Sequence, residues 1–163
     1  MSHLQTSAYH PIVQSTLHHI AFAVDSIEQV MLQIPEEAWH YQPSPATRTI
    51  QELLAHLTLL LEADLLLMEG TSATEMERFY KQHTPQSRDH MLLTLRAGYE
   101  KCEAAYLQFS EQQLNEETKA YWGASYTRFG WLVEMNAHLY HHRGQLLGWL
   151  QAGGWTVKIS WFE

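Results

Sequence analysis

The segment Asn136-Ala-His-Leu-Tyr-His-His-Arg-Gly-Gln-Leu146 carries His138 and His142 four residues apart. On a helix that spacing stacks two imidazoles on one face, one turn apart, close enough to share a metal ion. A catalytic metal site usually needs a third protein ligand, and His56, in Glu52-Leu-Leu-Ala-His-Leu57, is the candidate. With eleven histidines in 163 residues, an i,i+4 pair also arises easily by chance. Most such pairs are solvated or hydrogen-bonded, so spacing alone does not make a metal site. The elements that carry the histidines have to place them together.

Those elements read as helices. From about Pro11 to Gln33, Val13, Leu17, Ile20, Val24, Ile27 and Met31 recur at alternating steps of four and three, a continuous apolar stripe. Ile34 to Pro45 holds three prolines and cannot be one regular helix; Trp39 and Tyr41 are expected to pin it to the bundle. Thr49-Ile-Gln-Glu52 reads as a capping box, opening a second helix with Ile50, Leu53, Leu54, Leu57 and Leu61 inward and Gly70 as its stop. On a wheel of 100° per residue, His56 falls at the edge of that stripe, where an imidazole must find a hydrogen bond, a carboxylate or a metal. Glu52, one turn earlier on the same side, is either a ligand or an orienting group. Residues 71–86 read as a polar loop with at most a short helix near Met76 to Tyr80. A third helix is expected from about Gln86 to Phe109, with Cys102 on its buried stripe and therefore inert. After a polar connection from Gln112 to Ser125, a fourth runs from about Thr127 to Ala152 and stops at Gly153-Gly154. Its core side is Leu132, Leu139, Leu146 and Leu150. Trp131, His138, His142, Gln145 and Trp149 lie a quarter turn away, again edging the core. The tail from Trp155 to Glu163 is β-prone and aromatic and is expected to pack over one end of the bundle.

Four amphipathic helices without a strong strand pattern predict an all-α, four-helix bundle, one domain spanning residues 1–163. If the second and fourth helices are neighbours, three imidazoles converge and leave a fourth coordination position open, the arrangement of a catalytic divalent ion. The net charge of −8 is spread along the chain and argues against nucleic acid or an anionic membrane as partner. A single cysteine excludes an intrachain disulfide framework and any multi-cysteine zinc site. The polar start, Met1 to Ser7, lacks the apolar core of a signal peptide, so the expected location is cytoplasmic.

Three stretches carry a family resemblance. Ile34-Pro-Glu-Glu-Ala-Trp39, followed by Pro43 and Pro45, resembles the loop after the first helix of the DinB-like (DinB/YfiT) superfamily of metal-binding four-helix proteins. Ile50 to Leu57 is similar to its second-helix motif, in which the histidine binds metal. His138-Leu-Tyr-His-His-Arg-Gly-Gln145 is similar to its fourth-helix signature. The resemblance implies His56, His138 and His142 as ligands of one divalent ion, zinc or nickel before others, with His141 pointing away. It implies supporting or structural places for Asn136, Arg143 and Gln145. Asn136 and Arg143 fall on the apolar side of the wheel and need partners, so they are expected to tie helices together.

Because the superfamily includes thiol-dependent S-transferases, the resemblance further implies a small-molecule thiol, an electrophile as its target, and a homodimer. Two other roles use the same ligands: a non-catalytic, stress-related metal-binding bundle, and a metal-dependent hydrolase. A cleft beside the open position, lined by Trp131, Trp149 or Tyr126, would favour the enzyme; a site closed by Glu52 would favour the structural role.

Overall fold

The computed structural model describes residues 11–161, and within them the histidine-bearing segments are helical as their periodicity requires. Four long helices form the bundle: α1 (Pro11–Gln33), α3 (Ile50–Met68), α5 (Arg88–Tyr106) and α7 (Arg128–Ala152). The one-turn helices α2 (Glu36–Trp39) and α6 (Glu111–Leu114), together with α4 (Ala73–His83), lie in the connections. Around the bundle the order is α1, α5, α3, α7, each packed on the next and α7 back on α1. Helices α1 and α3, consecutive in the bundle, therefore lie across a diagonal, and α3 and α7 are direct neighbours. Both histidine-bearing helices share one seam.

The core is the set of stripes read from the sequence. Ile20, Ile27, Leu53, Leu57, Leu132, Leu139, Leu146 and Leu150 are all fully buried. Helix α3 begins where its capping box puts it: the Thr49 side chain accepts from the Glu52 N–H, and the Glu52 carboxylate accepts from the Thr49 N–H at 2.7 Å. Its exit turns through Gly70 at φ +83°, a left-handed conformation that glycine adopts without strain. Helix α5 runs from Arg88 to Tyr106, shorter at both ends than the expected 86–109.

Two connections differ from expectation. Residues 73–83 form a full three-turn helix, α4, where the sequence predicts a loop with at most one turn. A second capping box opens it: the Ser72 side chain accepts from the Glu75 N–H, and Glu75 returns to the Ser72 N–H at 3.0 Å. Met76 and Phe79 dock it on the bundle. We expect Ser72→Ala to cost about 1 kcal/mol by removing one of these bonds, measurable as a lower denaturant midpoint. The polar connection before α7 holds a hairpin, β1 (Glu117–Lys119) antiparallel to β2 (Ser125–Thr127), with Thr118 opposite Tyr126.

The tail turns back along α7 and α1, reaching Arg143 with Ser160, rather than covering only the end of the bundle, and joins no sheet within the described residues. Trp155 meets Tyr41 edge-to-face at 5.2 Å, and Gln33 of α1 exchanges two hydrogen bonds with the Lys158 backbone. Trp39 is buried, as expected of a residue that pins the connection between α1 and α3. No described helix is long and apolar enough to cross a membrane.

Candidate metal centre

Because α3 and α7 share a seam, His56 faces His138 and His142 across it. The three rings offer nitrogen atoms that all lie within 4.8 Å of one another, and each ring is partly exposed. The Nε2 atoms of His56 and His142 approach to 3.1 Å. Two imidazole lone pairs at that separation repel, so the contact requires a proton or a cation between them. His141 stacks edge-on against His142 at 4.9 Å but does not join the group.

Two hydrogen bonds select which nitrogens are free. His138 donates its Nδ1–H to the Asp64 carboxylate at 3.1 Å, and His142 donates its Nδ1–H to Gln145 Oε1 at 3.0 Å. Each bond fixes the tautomer that leaves Nε2 with a lone pair. Asp64 is buried, at 6% exposure, within the leucine-rich run of α3, so its charge needs the donor it has found. The donor set is neutral imidazole nitrogen, oriented by a carboxylate on one ring and an amide on another. It fits a borderline-soft divalent ion such as zinc or nickel.

The proton affinities agree with this division. Burial first, then the positive charge of Arg48 and the two other imidazoles, lowers the His56 pKa to about 3. Burial also lowers that of His142, against the opposing bond to Gln145. The hydrogen bond to Asp64 raises that of His138 despite its burial. At neutral pH, His56 and His142 therefore offer unprotonated nitrogen, and His138 is the ring at which a proton would compete with an ion. We expect apparent metal affinity to fall as pH drops through the elevated His138 value. The slope should be close to one proton per ion, tenfold per pH unit, as measured by zinc competition titration.

The metal-free fold is expected to lose stability as pH falls from 6.5 towards 3. Over that window the unfolded chain protonates the His56 position and the folded chain does not. His138 runs the other way: its stabilisation is complete below 6.5 and is lost as pH rises through its raised folded value.

The remaining expected residues fall elsewhere. Glu52 does not join the cluster: one oxygen of its carboxylate is held by the Thr49 N–H and hydroxyl in the α3 cap, and the residue lines the cleft beside His56. The carboxylate that orients a ring of the cluster is Asp64, on His138, which the sequence did not single out. An acid at the centre of an apolar stripe, among Leu57, Leu60 and Leu61, was the available signal. Arg143 is buried and ties three elements, donating from Nε to Ser26 of α1 at 2.6 Å and from Nη2 to the Ser160 carbonyl of the tail. Asn136 is half-buried, and its side-chain oxygen has no hydrogen-bond partner among the described residues. Cys102 is fully buried, its thiol pushed up to about 12 by burial, so it supplies no nucleophile.

A cleft of about 480 Å³ opens beside the centre, with His56 in its wall. It lies between α3 and the α4–α5 connection and is lined by Gln51, Ala55, Leu59, Tyr80 and Gln86. The aromatic side chain there is Tyr80, not the expected Trp131, Trp149 or Tyr126. Trp131 is instead buried, with Tyr126 edge-on against it at 5.1 Å.

A model of the DinB superfamily matches residues 16–146, which includes all three histidines. The chain belongs to the DinB superfamily. Among solved structures, a DinB-family protein of Exiguobacterium sibiricum is similar at 31% identity and a TM-score of 0.82, covering 93% of this chain and 97% of that one. DinB-like proteins of Bacillus subtilis (19% identity, TM-score 0.68) and Bacillus cereus (18%, 0.62) share the fold, each over 91% of this chain and 97% of the other. No curated protein matches. DinB membership and the His56–His138–His142 cluster together fit a metal-binding protein.

Proposed function

We propose that this DinB protein is a divalent-metal enzyme that activates a small-molecule thiol for transfer to an electrophile. The observation that carries the reading is the open cleft beside His56, with Glu52 tied into the helix cap rather than closing the centre. A purely structural ion is normally enclosed by four protein ligands. Here three imidazoles converge, and a cleft large enough for a small molecule adjoins one of them, His56.

An ion held by His56, His138 and His142 would supply one thing, a lowered pKa for a thiol bound beside them. The chain's own residues do the rest. Asp64 holds His138 in the ligating tautomer, and Gln145 does the same for His142. Leu59 and Ala55 keep part of the cleft wall apolar. Tyr80 stands in the same wall with no partner for its hydroxyl among the described residues, so it is placed to donate to an incoming electrophile. The nucleophile must come from outside, because the Cys102 thiol is buried and protonated.

The test is a thiol-transfer assay on metal-loaded protein, with several small thiols against a chloronitrobenzene and an epoxide. Turnover that requires both thiol and metal supports the reading. Metal-dependent ester hydrolysis without thiol would replace it with the hydrolase. Bound metal with neither activity would leave the stabilising, non-catalytic role.

A further inference from the structure

A cleft of about 460 Å³ lies between α7 and the returning tail. Gly144, Gly148 and Gln151, which line it, sit roughly half a turn from His142 on a wheel of 100° per residue, so it opens away from the histidines. Its long wall is α7 from Arg143 to Gln151, roughly 12 Å of helix. Trp155, Val157 and Trp161 of the tail form the facing wall. The floor is bare, because a Cβ added at Gly144 or Gly148 would meet nothing within 4 Å. A flat group can therefore lie directly on the helix backbone. The tail wall is already in place. Trp155 packs so closely on Gly153 that an added Cβ there would overlap its ring, and Tyr41 meets it edge-on. Gln33 holds the Lys158 backbone, and Arg143 holds the Ser160 carbonyl.

Arg143 stands at one end of this cleft, only 6% exposed. Its guanidinium lies among three rings, 5.4 Å from Tyr140 and 6.0 Å from both Phe22 and Trp161. The two acceptors it has, the Ser26 hydroxyl on Nε and the Ser160 carbonyl on Nη2, are neutral. Among the described residues Nη1 has no acceptor, and no carboxylate comes within ion-pair distance of the group. A buried cation without a counter-charge is costly, and a planar guanidinium with donors to spare matches a carboxylate. None of the described residues lining the cleft is acidic, although the chain carries −8. Away from Arg143 the walls are apolar at Leu147, Val157 and the two indoles, with Gln151 and Thr156 at the far end.

We propose that this cleft binds an aromatic carboxylic acid, its carboxylate on Arg143 and its ring between the glycine floor and the indoles of Trp155 and Trp161. The glycines make the slot flat, which suits a planar ring better than a branched chain. One cation among apolar walls suits a single negative charge and not a phosphate dianion. The site is separate from the histidine centre and needs no metal.

The test is isothermal titration calorimetry of the full-length protein with two probes of one shape, 2-naphthylacetate and 2-naphthylacetamide. The acid is expected to bind about tenfold more tightly than the amide, the effect of one charge-assisted contact. Arg143→Gln should erase that difference. Because Arg143 also ties α1, α7 and the tail together, a second variant fills the floor instead. Gly148→Leu meets open space at its Cβ and favours the helix, so the bundle should keep its helical content while both probes are lost. Equal affinity of acid and amide for the native protein would overturn the Arg143 anchor and with it the proposal. So would an acid that does not bind at millimolar concentration. Acid binding that survives Gly148→Leu would place the acid elsewhere, the histidine centre included, and would overturn the proposal as well.

Discussion

Asp64→Asn is expected to weaken zinc binding by about ten- to a hundredfold while leaving the bundle folded. The buried carboxylate accepts the Nδ1–H of His138 and thereby holds its Nε2 lone pair toward the other two rings. Asparagine keeps the volume but loses the charge that makes the imidazole a stronger donor. Its amide nitrogen can also turn toward Nδ1 and impose the opposite tautomer. The metal-free protein should stay folded but lose the stabilisation that the Asp64–His138 bond supplies. Competition with a chromogenic chelator measures the affinity, and thermal unfolding in chelator measures the fold. Unchanged affinity in Asp64→Asn would show that His138 is oriented by the backbone of α7 alone.

Leu139→Ala is expected to cost about 2–5 kcal/mol, the range for emptying a leucine site in a packed core. Leu139 is fully buried on the core side of α7, next in sequence to His138. The cavity would loosen the seam on which the ligands depend, so metal affinity should fall along with the urea midpoint. Val133, on the outer face of the same helix and 46% exposed, provides the contrast. Val133→Ala should change stability by no more than about 0.5 kcal/mol. Similar losses at the two positions would mean that α7 is not packed on its leucine face.

The bundle was legible because its four helices are amphipathic, and burial of their stripes leaves few other arrangements. The histidine cluster was legible for the same reason: His56, His138 and His142 edge two stripes that the fold sets side by side. The diagonal placement of α1 and α3 could not be read, since an apolar stripe states that a helix packs but not on which neighbour. Helix α4 was missed because mean polarity across residues 71–86 outweighed a local signal, the Ser72–Glu75 capping box. The Thr49–Glu52 box, by contrast, precedes an obvious apolar run. Glu52 was legible both as lying on the His56 side of α3 and as the acid of a capping box, and the cap holds one of its carboxylate oxygens. Asp64 shows the reverse, a charge in an apolar stripe whose partner lies 74 positions away and is visible only once α3 and α7 are paired. The β1–β2 hairpin is three residues per strand, too short for any alternation to register.

The most direct test of the account is the metal content of untagged protein, measured by mass spectrometry beside His142→Ala. The account predicts close to one divalent ion per chain in the native protein and its loss in the variant, with helical content retained in both. A native protein that takes up neither zinc nor nickel when supplied with them, or a His142→Ala variant that keeps the full complement, would contradict it.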